Sequence, residues 1–203
     1  MNYLAAHPDR VGALMGQHVL LVGVSLAVAL LIALPLGVAA ARNPRAGAIV
    51  LAVAGALYTI PSLALLALLV AALGLGQLTA IVALVVYAQM ILIRGVVAGL
   101  NGVDPALVDA ARGLGFTARQ TLLRVEFPAA LPVVLGGVRV ATVSLVALAT
   151  VAAWINAGGL GVLLFEGIGT NNPQKIFAGA LAAAVLAVAA DVSLRAAERA
   201  VRT

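Results

Sequence analysis

Long apolar runs separated by short polar segments make up most of the chain. No charged residue lies within positions 19–41 or 46–93, and the second run is long enough to cross a membrane twice. A bilayer core of about 30 Å takes about 20 residues of helix per crossing. The runs are apolar on every face, which favours helices over the alternating strands of a membrane barrel. The pattern predicts an all-α membrane protein with five spans, at about 19–41, 46–73, 78–100, 129–154 and 176–194.

Glycine and proline divide these runs at three places. The segment 74–77 (GLGQ) is expected to form the hairpin between spans two and three, because glycine readily adopts turn conformations. Pro61 is expected to kink span two, with the hydroxyls of Thr59 and Ser62 satisfying the freed backbone groups. The kink would serve either as a hinge on the pathway or as a packing device. The segment 158–161 (GGLG) is expected to be a reentrant or hairpin loop at the outer mouth, or a plain turn.

Two charged residues lie at the margins of the predicted spans. Only residues 176–190 of the last span are free of charge, so Asp191 is expected near a membrane interface. Arg139 falls within or beside span four, where a charge that faces lipid is costly. We expect Arg139 at the cytoplasmic interface, with Glu126 or Asp109 as its partner.

Composition agrees with a chain whose solvent is lipid. Of 203 residues, 64% are hydrophobic and 9% are charged, whereas soluble domains carry about 25% charged residues. The net charge of +5 comes from scattered arginines, without a basic cluster and interleaved aromatics, so nucleic-acid binding is not expected. Cysteine is absent, which excludes disulfides and cysteine metal sites. Residues 1–203 are expected to form a single transmembrane domain.

The distribution of basic residues predicts the orientation of the chain. Positively charged residues collect in cytoplasmic loops. With the 42–45 loop inside, nine basic residues lie inside against two outside, Arg10 and Lys175. We therefore expect a multi-pass membrane protein with its N-terminus outside and its C-terminus in the cytoplasm.

The longest polar section, residues 101–128, is expected to form a cytoplasmic loop of two short helices. Asp104 followed by Pro105 is typical of a helix start, and Gly113 or Gly115 of a helix end. Thr117 is expected to cap the second helix, and Pro128 to mark a turn into span four. Nothing in this section has catalytic spacing, so it indicates a docking surface.

The same loop resembles the EAA loop of binding-protein-dependent ABC importer permeases. That pattern is Glu-Ala-Ala, three residues, Gly, nine residues, Ile-x-Leu-Pro. Here the spacing is kept with conservative changes, in Asp109, Ala110, Ala111, Gly115, Val125, Phe127 and Pro128. The resemblance implies a type I (MetI-like) permease fold in the bacterial inner membrane and a coupling helix that sits in a groove of an ATPase subunit.

Two further stretches, and the residues just before the EAA pattern, are similar to permeases for glycine betaine, choline and related osmoprotectants. They read YTIPSLALLALL at 58–69, AGGLG at 157–161 and GVDPAL at 102–107. The resemblance covers about residues 19–190. It implies a small osmoprotectant as solute and selection of that solute by an extracytoplasmic binding protein.

The sequence offers no energy source of its own. It contains no G-x-x-x-x-G-K-[ST] motif to hold nucleotide phosphates. No Asp or Glu lies well inside a span, where ion-coupled carriers place carboxylates. We therefore expect a chain that is not an enzyme and holds no cofactor or metal, with ATP bound by a partner subunit.

Several polar or aromatic side chains in the spans are candidates for a pathway or hinge. They are Tyr58, Thr59, Pro61, Ser62, Tyr87, Gln89 and Trp154. Each has a plainer explanation as a packing residue, and Trp154 as an interfacial anchor. Eight aromatic residues spread along the chain show no cage for a quaternary amine.

The predicted assembly contains two permease subunits in the lipid bilayer, which are two copies of this chain or this chain and a sister permease. Two ABC ATPase subunits lie beneath them. The alternatives are a permease for methionine or another small amino acid, a self-contained channel or secondary carrier, and a scaffold that only recruits a cytoplasmic partner.

Overall fold

The computed structural model describes residues 2–202, which fold into helices joined by short turns, with no strand in that range. The ten α-helices, in chain order, are α1 Asn2–Ala6, α2 Pro8–Arg42, α3 Pro44–Thr59, α4 Ser62–Leu73, α5 Gln77–Asn101, α6 Pro105–Gly113, α7 Ala118–Thr121, α8 Phe127–Ala152, α9 Gly161–Gly169 and α10 Pro173–Arg202. A π-helical turn, Leu122–Glu126, joins α7 to α8, and a 3₁₀ turn, Ala153–Ile155, follows α8. Within this range, four helices are long and apolar enough to cross a membrane, and the bent pair α3–α4 makes a fifth if it is one span.

Helices α2, α5 and α8 form the centre of the bundle, where small residues allow close approach. Ala29, Ala80 and Ala141 are fully buried at these contacts. A Cβ built on Gly95 would lie 3.2 Å from the Cα of Gly137, so α5 and α8 cross with their backbones nearly touching. Small residues at helix crossings are the usual device of membrane bundles, because lipid provides no hydrophobic drive between helices.

Helix α2 begins at Pro8, well before the apolar run that was predicted to start at residue 19. Leu14, His18, Leu21, Ser25 and Ala29 are buried at helical spacing, so one face of the predicted polar stretch is part of the core. The other face carries the charges, so the hydropathy pattern does not reveal this part of the helix.

The predicted second span, 46–73, is two helices that meet at 95° rather than one kinked helix. Helix α3 ends at Thr59, because Pro61 has no backbone N–H to continue the ladder. Thr59 donates its hydroxyl to the Ala56 carbonyl at 2.7 Å. The free carbonyl of Ile60 accepts instead from the Tyr87 hydroxyl. This partner comes from α5 and was not expected from the sequence.

Helix α8 continues directly from the loop, so the predicted turn at Pro128 is absent. The π-helical turn lies just before Pro128 and widens the helix where the proline cannot donate a hydrogen bond.

The predicted partners of Arg139 were wrong. Its guanidinium lies 3.2 Å from Asp191 and 3.5 Å from Glu198, both on the polar C-terminal part of α10. Glu126 is instead bound by Arg42, and Asp109 by Arg112.

Candidate functional site

The loop between α5 and α8, residues 101–128, is hereafter the coupling loop, and it begins with a well-capped helix. The Asp104 carboxylate accepts from the Ala106 N–H at 2.8 Å, with Pro105 at the first helical position. At the other end of α6, Phe116 N–H donates to Ala111 O at 3.1 Å and Gly115 N–H to Arg112 O at 2.9 Å. Gly115 has φ +80° between these bonds, which is the Schellman arrangement for ending a helix.

Gly115 is therefore required for its backbone conformation and not for lack of space. A Cβ at this position would have nothing within 4 Å. A side chain here would be strained by the positive φ, at a cost of about 1–2 kcal/mol. Within this chain the two loop helices do not press on each other at Gly115.

The second half of the coupling loop is held by a capping box. Thr117 accepts from the Gln120 N–H at 3.3 Å, while the Gln120 side chain accepts from the Thr117 N–H at 2.8 Å. Helix α7 has only four residues before the π-helical turn. The second predicted loop helix is thus the start of the long α8 unit, so a force on the loop acts directly on that helix.

The EAA-like residues divide between the surface and the interior of this loop. Asp109, Ala110, Gly115 and Pro128 are exposed, Ala111 is buried, and Val125 and Phe127 are half-buried. Around them, Leu107, Leu114 and Leu123 are 49%, 77% and 55% exposed. These leucines give the coupling loop an apolar surface that nothing in the described part of this chain covers.

One ion pair joins the coupling loop to the membrane bundle. Arg42, the last residue of α2, reaches the buried Glu126 carboxylate with two hydrogen bonds, one of 3.0 Å. A cavity of about 120 Å³ lies beside the pair and is also lined by Arg112, Phe116 and Thr121. Two parallel N–H···O bonds fix direction as well as distance. The pair therefore sets the position of the π-helical turn relative to α2.

The bend between α3 and α4 opens onto a groove along α5 and α8, hereafter the bend groove. Tyr58 and Tyr87 meet there edge to face, with ring centroids 5.9 Å apart. Ser62 and Ser144 line the two cavities of the groove, on either side of Tyr87. Each cavity holds only about 10 Å³, room for about one water. A solute larger than water has no passage through these two cavities.

The structure brings together only part of the predicted pathway set. Tyr58, Pro61, Ser62 and Tyr87 surround the bend, and Thr59 caps the end of α3. Gln89 is buried and donates to Ala29 O and Val85 O, at 3.3 and 3.2 Å. It lines a different, apolar groove of about 230 Å³ with residues of α2 and α3. Trp154 lies beyond α8 with 56% of its surface exposed.

The other end of the bundle carries a closed contact that sequence reasoning missed, hereafter the hairpin clamp. Gln17 accepts from the Gly159 N–H at 3.1 Å, and His18 Nδ1 accepts from the Leu160 N–H at 3.2 Å. The opposite ring nitrogen of His18 lies 3.0 Å from the Val146 carbonyl. Because Nδ1 accepts, Nε2 carries the proton and donates to Val146. His18 is fully buried and joins α2, the hairpin and α8.

The glycines of the hairpin clamp are required by both conformation and space. Gly158 and Gly159 have φ of +82° and +79°, and a Cβ on them would meet Gln17 Oε1 at 2.6 Å and His18 Nδ1 at 2.8 Å. A Cβ on Gly161 would lie 1.9 Å from the Thr150 carbonyl oxygen. The segment is thus tightly packed against α2 and α8 and is not a plain flexible turn.

At the same end of the bundle, a carboxylate on α9 binds two basic side chains. Glu166 is bound by Arg10 and, at 3.3 Å, by Lys175. The only sequence signal for these contacts was the position of His18 and Glu166 at the edges of apolar runs. The partners of His18 and Arg10 lie more than a hundred positions away in the chain, so no local pattern shows these contacts.

Comparison with known proteins places this architecture in a defined class. The family model for the inner membrane component of binding-protein-dependent transport systems matches residues 33–203. The chain belongs to this family, and it is the permease subunit of an ABC importer with a multi-pass, all-helical transmembrane domain. The alternatives of a self-contained carrier and of a scaffold are thereby set aside.

Two relatives and one solved structure make the likeness more specific. The chain is 33% identical to the glycine betaine/carnitine/choline permease OpuCB of Bacillus subtilis, over 98% of this chain and 92% of that protein. It is 37% identical to the osmoprotectant import permease OsmW of Salmonella typhimurium, over 94% and 91%. The inward-facing MetNI methionine transporter superposes with a TM-score of 0.87 at 23% identity, covering 97% and 98% of the chains. That structure shows the MetI-like fold.

Proposed function

We propose that this permease imports a small osmoprotectant of the quaternary ammonium type, such as glycine betaine, choline or carnitine. The observation that carries the proposal is the likeness to OpuCB and OsmW over more than nine tenths of the chain. The methionine alternative has only a likeness of fold at 23% identity in its favour, and fold does not determine the solute.

ATP hydrolysis in a partner subunit drives the import in this proposal. The sequence lacks a nucleotide-binding motif. Support for a docked ATPase comes from the coupling loop, whose Leu107, Leu114 and Leu123 are exposed around the EAA-like residues. An extracytoplasmic binding protein delivers the solute at the opposite end. Asp109, Ala110, Ala111, Gly115, Val125, Phe127 and Pro128 form the ATPase contact and its support.

The translocation path lies between two permease subunits. Support comes from the two small cavities of the bend groove, which have no room for a betaine-sized solute beside Tyr58 and Tyr87 in the single subunit. Tyr58, Thr59, Pro61, Ser62 and Tyr87 line the path or set the bend. The partner is a second copy or a sister permease.

The coupling loop and the C-terminus face the cytoplasm, with the N-terminus outside. The surplus of basic residues at the loop end supports this orientation. Single cysteines at Thr117 and Asn171 of this Cys-free chain, treated with an impermeant thiol reagent in intact cells, test it. Labelling at Asn171 alone is expected, and labelling at Thr117 alone would reverse the orientation.

Reconstitution in liposomes tests the transport function. The permease, its ATPase and its binding protein are combined, and uptake of labelled glycine betaine, choline and methionine is followed with and without ATP. ATP-dependent uptake of a quaternary amine is expected, and an ATPase variant that cannot hydrolyse ATP is the control. Uptake of methionine alone would refute the proposed solute, and concentrative uptake by the permease alone would refute the partner requirement.

A further inference from the structure

We propose that the ring of Tyr58 is a transient binding site for the cationic head of the solute as it passes the bend. The inference rests on the proposed function, because it assumes a quaternary ammonium solute. It adds a binding role to a residue that was only a candidate pathway residue, and it names the interaction as cation–π.

The bend exposes non-helical backbone within a long apolar segment. Ile60 and Pro61 have extended backbone between two helices, with ψ of 126° and 135°. Ile60 is half-buried and Pro61 is exposed, so this chain alone does not cover the bend. Non-helical backbone at membrane depth is usually covered by protein or lines a water-filled cavity. In the proposed dimer, the exposed side of the bend therefore faces the interface between permease subunits, where the solute passes.

Tyr58 projects from this exposed side. Its side chain is 45% exposed, while residues 46–57 of the same helix carry no polar or charged side chain. Its ring is held at 75° to the ring of Tyr87. Tyr87 is itself fixed, because its hydroxyl donates to the Ile60 carbonyl at the bend. Tyr58 thus presents an aromatic surface next to a rigid neighbour.

The chemistry of the bend suits a permanent cation that cannot donate a hydrogen bond. A trimethylammonium group has no N–H and is attracted to the face of an aromatic ring. No carboxylate lines either cavity of the bend groove. A cation at the bend therefore meets rings and hydroxyls but no carboxylate. Such weak attraction suits passage, because a strong site would retain the solute.

The test compares position 58 variants in the reconstituted importer with saturating, solute-loaded binding protein. Tyr58→Phe keeps the ring and is expected to import a quaternary amine within about twofold of wild type. Tyr58→Leu keeps an apolar side chain without the ring and should import about three- to thirtyfold more slowly. Phe177→Leu, an exposed aromatic on α10, is the matched control and should not change the rate.

A second measurement separates the ring from any effect on folding. Phenylalanine with one, two and three ring fluorines at position 58 keeps the shape while it weakens the negative face of the ring. Import should fall stepwise with the number of fluorines. A constant rate across this series, or a Tyr58→Leu rate equal to wild type, would overturn the inference and leave the proposed function intact. Failure of the wild-type system to import any quaternary amine would refute both.

Discussion

The coupling loop and the hairpin clamp are both glycine-containing connections, yet their glycines serve different needs. At Gly115 in the coupling loop, a Cβ would have open space, and only the positive φ requires glycine. At Gly158, Gly159 and Gly161, side chains or backbone from α2 and α8 would collide with a Cβ. The hairpin clamp is completed within the chain, whereas the coupling loop presents its apolar side chains outward. The comparison indicates that one connection stabilises the subunit, whereas the other leaves apolar side chains free for the proposed ATPase partner.

The largest expected loss of stability comes from Gly161→Ala in the hairpin clamp. The added methyl group would lie 1.9 Å from the Thr150 carbonyl oxygen, so α9 must move away from α8. We expect a loss of about 3 kcal/mol or more, seen as a lower unfolding temperature in detergent. Gly169→Ala, at the open end of the same helix, is the control and should not lower that temperature. Equal behaviour of the two variants would contradict the close packing of α9.

Replacing His18 removes the side chain that joins three elements. His18→Ala leaves the Leu160 N–H and the Val146 carbonyl without partners and opens a cavity in the core. We expect a loss of about 2 kcal/mol in the free energy of unfolding. His7→Ala, at an exposed position on the same end, should change it less, because His7 only stacks on Tyr3 and joins no helices of the bundle centre. A His18→Ala subunit as stable as wild type would show that the hairpin clamp does not stabilise the bundle.

Glu126→Gln sharpens the comparison at the junction of loop and bundle. The variant keeps the shape but weakens the bond to Arg42, whose side chain is 44% exposed. We expect a loss of about 1 kcal/mol, because solvent already screens the arginine. Asp109→Asn, in a pair whose side chains are 66% and 72% exposed, should stay within about 0.5 kcal/mol of wild type. If the two variants lose the same stability, the pair does not anchor the coupling loop.

The smallest effect on the stability of the bundle is expected at Gly115. Gly115→Val should lower the unfolding temperature only slightly, because its side chain meets open space and the strain of the positive φ is confined to the end of α6. The strained φ distorts the end of α6 at a cost of about 1 kcal/mol, which corresponds to about fivefold weaker retention of the ATPase on copurification. Gly115→Asn, which tolerates a positive φ, should retain the ATPase nearly as wild type does. A large drop in unfolding temperature would instead show a buried packing role.

The sequence was sufficient for the helical class, the coupling loop and its caps, because these depend on local signals. Asp104 before Pro105, Thr117 three residues before Gln120, and Gly115 are each recognised from neighbours in the chain. The hairpin clamp was not predicted, since His18 and Leu160 are 142 positions apart and meet only after the helices pack. The partners of Arg139 were wrong for the same reason. The sequence predicted a kink at Pro61 but not the 95° bend, where the Ile60 carbonyl is bound by Tyr87 from another helix.

Protection of the coupling loop by the ATPase tests the account most directly. Two single-cysteine variants of the Cys-free chain are made, Leu114→Cys in the coupling loop and Leu75→Cys at the opposite end of the bundle. Leu114 is 77% exposed and Leu75 is 63% exposed. Each is treated with a thiol reagent in detergent, with and without the ATPase subunit. The account predicts slower labelling at Leu114→Cys when the ATPase is bound and unchanged labelling at Leu75→Cys. Unchanged labelling at Leu114→Cys in a complex that still hydrolyses ATP and imports its solute would contradict it.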